Sequence, residues 1–353
     1  MDLRELTRRP GEWLAGTGPQ HEIVMSSRVR LARNVAAFPF MTKANRSQRG
    51  ELHRLCRDRL LATAPERPLF YVEMDKTDEI DRQLLVERHL ISKQHAIGEG
   101  NRGVAISNDE AISVMVNEED HLRVQVLRSG LQLRECWKEA DRLDDALQEK
   151  IEFAFSPRFG FLTACPTNLG TGLRVSVMLH LPALKLTGEI EKIFRAAKDT
   201  HMAIRGLYGE GTDAIGDFYQ ISNQTTLGRS EDEILGEFND VVIPRIIMAE
   251  KAARAVLENE RPLALDDKIG RATGVLRNAR LLTSEETLYF LSHLRLGVVM
   301  KRVTGLDIHA INALFLQTQP AHLQRYVGQA LDGDTRKAAR AQFVRQQLDK
   351  AMK

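Results

Sequence analysis

The strand signals of this chain end well before its C-terminus, and that switch limits the possible folds more than any other feature. Ser26–Asn34, Ala111–Val116, His121–Leu127 and Val175–Leu181 carry the period-2 alternation of half-buried strands, and Phe218–Asn223 is a further strand. Shorter candidates are His21–Met25, Leu69–Met74, Val104–Ser107, Phe159–Ala164 and the run from Ala203. Helical spacing marks Ser47–Ala62, Asp78–Leu90, Trp137–Glu149 and Thr187–Lys198. Ser230-Glu231-Asp232-Glu233 is a capping box that opens a long helix toward Glu258, with a bend expected at Pro244. Past Arg261 and Pro262 only helices follow: Leu263–Leu282, Glu285–Arg302, Asp307–Gln317, Ala321–Leu331 and Asp334–Met352. The expected class is α+β, a sheet with flanking helices over residues 21–258 and a separate all-helical domain over residues 263–353. A chain of 353 residues is long enough for two cores. Met1–Gln20 has no period and reads as a short, partly loose lead-in.

Composition narrows the function classes. Charged residues make up 28% and apolar residues 43%, ordinary for a soluble globular protein. A net charge of +2 makes no general case for nucleic acid. No apolar run approaches the length of a membrane span, and the N-terminus lacks the apolar core of a secretory signal. Cys56, Cys136 and Cys165 are scattered and odd in number, and no CxxC or HExxH occurs. A reducing cytoplasm and no structural zinc are expected. Gly98–Gly103 spells GxGxxG, but it follows a helix and precedes a strand, the reverse of a dinucleotide fingerprint, and reads as a loop. The absence of a Walker GxxxxGK[ST] argues against P-loop chemistry.

Four segments concentrate chemistry. In Ser26-Ser27-Arg28-Val29-Arg30, alternation puts Arg28 and Arg30 side by side on one face, where they repel unless an anion meets them. A solvated edge strand is the plain alternative. Asn117-Glu118-Glu119-Asp120 is a hairpin tip packed with carboxylates, followed by Arg123. Cys165-Pro166-Thr167-Asn168-Leu169-Gly170-Thr171-Gly172-Leu173-Arg174 is an irregular turn between strands. Its glycines let a backbone approach a ligand closely, and Arg174 suits phosphate oxygens. Ala203–Thr212 runs from a strand into a glycine-rich loop with Arg205 and Glu210.

In this order the four segments resemble the signatures of the phosphagen kinases, the ATP:guanido phosphotransferases, whose catalytic domain is an antiparallel sheet flanked by helices. The resemblance implies ATP and Mg²⁺ as cofactors. It assigns Glu119 and Glu210 to the guanidinium that receives the phosphoryl group, with Cys165 beside it. It assigns Ser26, Ser27, Arg28, Val29, Arg30, His89, Arg123, Arg174, Val175, Ser176, Val177, Met178, Arg205, Gly206, Leu207, Tyr208, Gly209 and Glu210 to the nucleotide. Glu118 would meet the metal–nucleotide through water, with no direct metal ligand among the side chains.

Only 25 residues precede Ser26, and a helical domain follows Pro262. That arrangement is similar to the bacterial protein-arginine kinases, the McsB branch, and differs from kinases of small guanidino compounds, which carry a helical domain upstream. A small-guanidine kinase and an inactive adaptor are the alternatives. Membership of the McsB branch implies McsA as activator, the repressor CtsR as target, Clp protease as consumer of marked proteins, a possible homodimer, and no direct nucleic acid or membrane contact. The branch's RDxxRA phosphoarginine motif is altered here to Gly333-Asp334-Thr335-Arg336-Lys337-Ala338. The helical domain is expected to select protein substrates or pair subunits, with no chemistry of its own. A chain ending near Glu258 is then expected to keep nucleotide binding.

Overall fold

The computed structural model describes residues 3–7, 9–63, 67–207 and 215–352. In chain order, α1 is Leu3–Leu6, β1 Val24–Arg33, α2 Arg46–Ala62, β2 Leu69–Glu73, α3 Glu79–Glu87 and α4 Lys93–Ile97. Next come β3 Gly103–Ser107, β4 Ile112–Val116, β5 Leu122–Ser129, α5 Leu133–Gln148, β6 Phe155–Ser156, β7 Gly160–Phe161 and β8 Leu173–His180. They are followed by α6 Pro182–Thr187, α7 Ile190–Asp199, β9 Met202–Arg205, β10 Phe218–Asn223, α8 Glu231–Gly236 and α9 Ile243–Glu260. The rest is helical: α10 Pro262–Asn278, α11 Ser284–Val299, α12 Ile308–Gln317, α13 Pro320–Val327 and α14 Gly333–Ala351.

Eight strands form one sheet in the order β2-β3-β4-β5-β1-β8-β10-β9, and every neighbouring pair is antiparallel. The central strand β1 is one element, with a bulge between Val24 and Ser26 where two shorter runs were expected. One sheet face carries Val29, Leu31, Val124, Val126, Val175, Val177 and Ile221, all fully buried against α2, α5 and α9. Burial of each such side chain stabilises by about 1.5–3 kcal/mol.

The other face is shared. Val104, Ile106 and Met115 pack under α3 and α4 with Leu6. Leu127, Met178, Leu207 and Phe218 pack under α11, α12 and α14 with Trp13 and Leu14. Charged side chains occupy the ground between.

Several expectations need correction. Part of the lead-in is packed: Trp13 and Leu14 are buried in a 3₁₀ turn, and Leu14 O and Ala15 O accept from Asn312 and His309 of α12. Its contacts are long-range, so no local period announces them. Of Phe159–Ala164 only Gly160–Phe161 pairs, with Phe155–Ser156, outside the main sheet. The glycines of the turn after Cys165 serve the protein's own chain. A Cβ on Gly172, at φ 66°, would lie 2.7 Å from Ala32 O, and one on Gly170, at φ 112°, 3.0 Å from Leu227 Cα. Thr187–Lys198 is broken by left-handed Gly188 into α6 and α7. The bend near Pro244 is a single π turn over Glu237–Val242, which takes up the backbone mismatch ahead of the proline.

The helical region does not stand apart. Leu288, Leu291 and Leu294 are buried in the core shared with the sheet. Arg295 is fully buried and donates to Asn312, to His180 and to the carbonyls of His21 and Glu22. Ser292 links His180 to Asp217 at 2.9 Å on each side. A chain ending at Glu258 would expose Leu127, Met178 and Phe218 and leave those polar groups unpaired. It should aggregate, as read by sedimentation. A monodisperse truncation that still binds nucleotide would show that the sheet region folds by itself.

Candidate active site

The sheet's shared face places the arginines. Across β5-β1-β8, Ala32 stands opposite Arg123, Arg30 opposite Gln125 and Arg174, and Arg28 opposite Ser176. Gln220 of β10 stands opposite Arg205 of β9. Alternation therefore brings Arg28, Arg30, Arg123, Arg174 and Arg205 to one face, where all line a cleft of about 1150 Å³. His89, Glu118, Glu119, Cys165, Thr167 and Gln125 line it too.

Hydroxyl and amide groups on neighbouring strands orient two of the arginines. Arg28 donates to Ser176 Oγ at 3.1 Å and to Gln220 Oε1 at 2.5 Å, and Arg174 donates to Ser222 Oγ at 3.3 Å. Burial, then Arg174, Arg123 and Arg205, pull the Arg28 guanidinium down to about 9. Burial and the same crowding, led by Arg28, push Arg30 well below its usual range. Each guanidinium thereby disfavours the charged form of its neighbours.

One wall is acidic. Arg123 bridges Glu118 at 2.9 Å and Glu119 at 3.1 Å. Glu118 also accepts from Ser92 Oγ at 2.6 Å and from the Glu119 amide at 2.8 Å. Burial opposes ionisation of Glu118, but Arg123 and these donors outweigh it and hold its pKa below the usual value. Glu119 moves the other way: burial and the Asp120 and Glu118 carboxylates raise its pKa against the pull of Arg123. Adjacent carboxylates with opposite shifts are suited to different tasks.

Cys165 is half-buried, with Sγ 3.0 Å from Thr167 Oγ1. Its loop is tied to the acidic hairpin by Asp120, whose Oδ1 accepts from Ala164 N and Asn34 Nδ2, both at 2.7 Å.

The remaining sequence-assigned residues divide by strand phase. Ser27, Val29, Val175 and Val177 point to the opposite face, and Ser27 Oγ bonds Gly130 O and Gln132 N. Ser26 and Met178 share the arginine face but lie in its packed half. Gly206 is buried, and Leu207 reaches the cleft edge. Tyr208, Gly209 and Glu210 lie outside the described residues.

Residues 53–253 match the ATP:guanido phosphotransferase C-terminal catalytic domain, and residues 262–353 match the protein-arginine kinase McsB C-terminal domain. The chain is 46% identical to a protein-arginine kinase of Symbiobacterium thermophilum, covering 99% of each chain. It is 43% identical to that of Halothermothrix orenii, covering 99% of this chain and all of the relative. Solved structures include lombricine kinase, at a TM-score of 0.60 and 28% identity, covering 69% of this chain and 70% of that one. The duplicated taurocyamine kinase of Schistosoma mansoni gives 0.61 and 30%, covering 71% of this chain and 35% of that longer one. The chain belongs to the protein-arginine kinase branch of the ATP:guanido phosphotransferase family. It is an ATP-dependent phosphotransferase, and no helix among its described residues is long and apolar enough to cross a membrane.

Sequence reading passed over several groups that shape this enzyme's cleft. Gln125 and Gln220 sit in phase with the arginines, and their strand phase was the available signal. Ser92 and Asn34 are set by contacts distant in sequence and had none, and the tie from Asp120 to the Cys165 loop was equally unannounced.

Glu118→Gln would remove one repelling carboxylate and leave Arg123 to Glu119. Glu119 should then titrate at lower pH, as read by carboxyl-carbon NMR. An unmoved or raised midpoint would show that burial alone sets it.

Proposed function

We propose that this enzyme transfers the γ-phosphoryl group of ATP, bound with Mg²⁺, to arginine side chains of proteins. The observation that carries the reading is the facing of five arginines and the Glu119–Cys165 wall across one cleft. The arginines take the triphosphate and the transferring phosphoryl group, which needs positioning and charge stabilisation more than covalent help. Relief of their mutual repulsion favours the bound polyanion. A guanidinium is protonated and a poor nucleophile. Glu119, with its raised pKa, accepts its proton, and Glu210 is the second carboxylate that the resemblance supplies. The N–P bond forms as the β–γ bridging P–O bond breaks, and ADP leaves. Cys165 flanks the attacking nitrogen.

Mg²⁺ fits the acidic wall. Glu118 is held ionised beside the phosphate-facing Arg123. Among the described residues no group of three or more His, Cys, Asp or Glu gathers, so the ion would be held mainly by phosphate oxygens and water. When bound it neutralises phosphate charge.

A protein as acceptor is supported by full-length similarity to chains named protein-arginine kinase. The same resemblance extends the proposal to CtsR as a substrate, McsA as activator, Clp as consumer of the marked proteins, pairing of two copies, and action in the cytoplasm under stress. A kinase of a small guanidino compound is the second reading, favoured by the taurocyamine and lombricine kinase neighbours.

Incubation with ATP and either a protein or free arginine, followed by mass spectrometry without acid, separates the readings. Phosphoarginine on protein is expected, and turnover of the free amino acid alone would favour the second. Glu119→Gln and Glu210→Gln should each slow transfer by about 10²–10⁴-fold while sparing ATP affinity. Near-normal turnover would remove that residue from the mechanism. Arg174→Ala should weaken both ATP binding and transfer, and an unchanged calorimetric affinity would place it outside the phosphate site.

A further inference from the structure

The turn that carries His89 is braced from the helical region. Glu87 and Arg88, the residues before it, are 2% and 0% exposed. Arg88 pairs with Glu110 through Nε at 2.6 Å and Nη2 at 2.7 Å, and Nη2 also donates to Arg9 O. Its Nη1 lies 3.1 Å from His322 Nε2 on α13. Glu87 accepts from the amides of Ala321 and His322, at 2.9 and 3.1 Å, in the first turn of the same helix. It also lies 2.8 Å from His322 Nδ1.

His322 thus spans both residues. A guanidinium only donates, so Nε2 is the acceptor and Nδ1 carries the proton given to Glu87. The imidazole is neutral and held in one tautomer. Burial, outweighing the opposite pull of Glu87, keeps its pKa below the ordinary value. Farther along α13, Arg325 grips Asp78 and, at 2.6 Å, Asp81, so α13 is tied to both ends of α3.

His89 follows at φ 59°, a left-handed conformation uncommon outside glycine, which persists where surroundings impose it. Gln125 Nε2 donates to its carbonyl at 2.7 Å, and the Trp13 ring stands edge-on to its ring at 4.5 Å. Trp13 in turn packs among α11 and α12 side chains.

We propose that His322 is a positioning residue for the nucleotide site. By locking Glu87 and Arg88 against α13, it holds His89 in the left-handed turn that lines the cleft, so the helical region sets nucleotide affinity. The inference rests on the reading of this cleft as the ATP site with His89 in contact. The acceptor wall is held independently, by Asn34 and Asp120, and does not depend on α13.

The test uses full-length protein, calorimetry with Mg·ATP, and steady-state kinetics on a protein acceptor. His322→Ala should raise the Kd for Mg·ATP by about tenfold, the effect of losing a hydrogen bond to a charged group. The acceptor KM should stay within about twofold. His322→Gln, which keeps an acceptor toward Arg88, should recover part of the affinity. In a His89→Ala background, His322→Ala should cost less than about twofold, because its effect passes through His89. Should His322→Ala fail to fold, Glu87→Gln replaces it with the same expectations. Wild-type affinity in His322→Ala, full additivity with His89→Ala, or equal rises in both KM values without rescue would overturn the inference while leaving the ATP site intact. Unchanged affinity in His89→Ala would overturn the site reading at His89, and the inference with it.

Discussion

Mutual repulsion of guanidinium groups governs this molecule. Arg28, Arg30, Arg123, Arg174 and Arg205 share one side of a sheet, half-buried, and burial, then their crowding, lowers the pKa of Arg28 and Arg30. No isolated strand pair would hold that arrangement. An eight-stranded sheet does so because its opposite face is a continuous apolar layer, and because the arginine face is itself roofed with apolar packing on both sides of the charged strip. Hydroxyl and amide partners on neighbouring strands orient Arg28 and Arg174, while Arg123 is paired with Glu118 and Glu119.

The same constraint explains the placement of the helical region. One roof of the arginine face is formed by α11, α12 and α14 with Trp13 and Leu14, and the other by α3 and α4. The roofs meet where α13 lies against α3. Buried junctions at Arg295 and at His322 join helices far along the chain to the segment before β1 and to the turn before the cleft. Such junctions are costly to break, since each leaves several desolvated partners. They make the helical region part of the scaffold that shapes the site.

The carboxylates illustrate control by environment. Glu118 and Glu119 are adjacent in sequence and chemically identical, yet their pKa values move in opposite directions. Glu118 is turned inward to Arg123 and Ser92, while Glu119 is 47% exposed in its side chain and bears the field of two neighbouring carboxylates. One hairpin therefore supplies a carboxylate biased toward its ionised form and another biased toward holding a proton.

Much of this was legible in the sequence. Period-2 alternation identified the faces of β1, β4, β5 and β8 and put Arg28 beside Arg30, while the family resemblance supplied Arg123, Arg174 and Arg205. The capping box at Ser230 and the run of helices after Pro262 were legible for the same reason: each signal lies within a few residues of chain. What stayed hidden was non-local. Asp120 beneath the Cys165 loop, His322 between Glu87 and Arg88, Trp13 edge-on to His89, and the merging of the helical and sheet cores all join residues remote in sequence. Local sequence determined which side chains face which way along each strand and helix, because backbone geometry repeats over short spans. Tertiary structure alone decided which buried polar groups meet, because that depends on strand order and helix docking, where desolvation leaves each group one workable partner set.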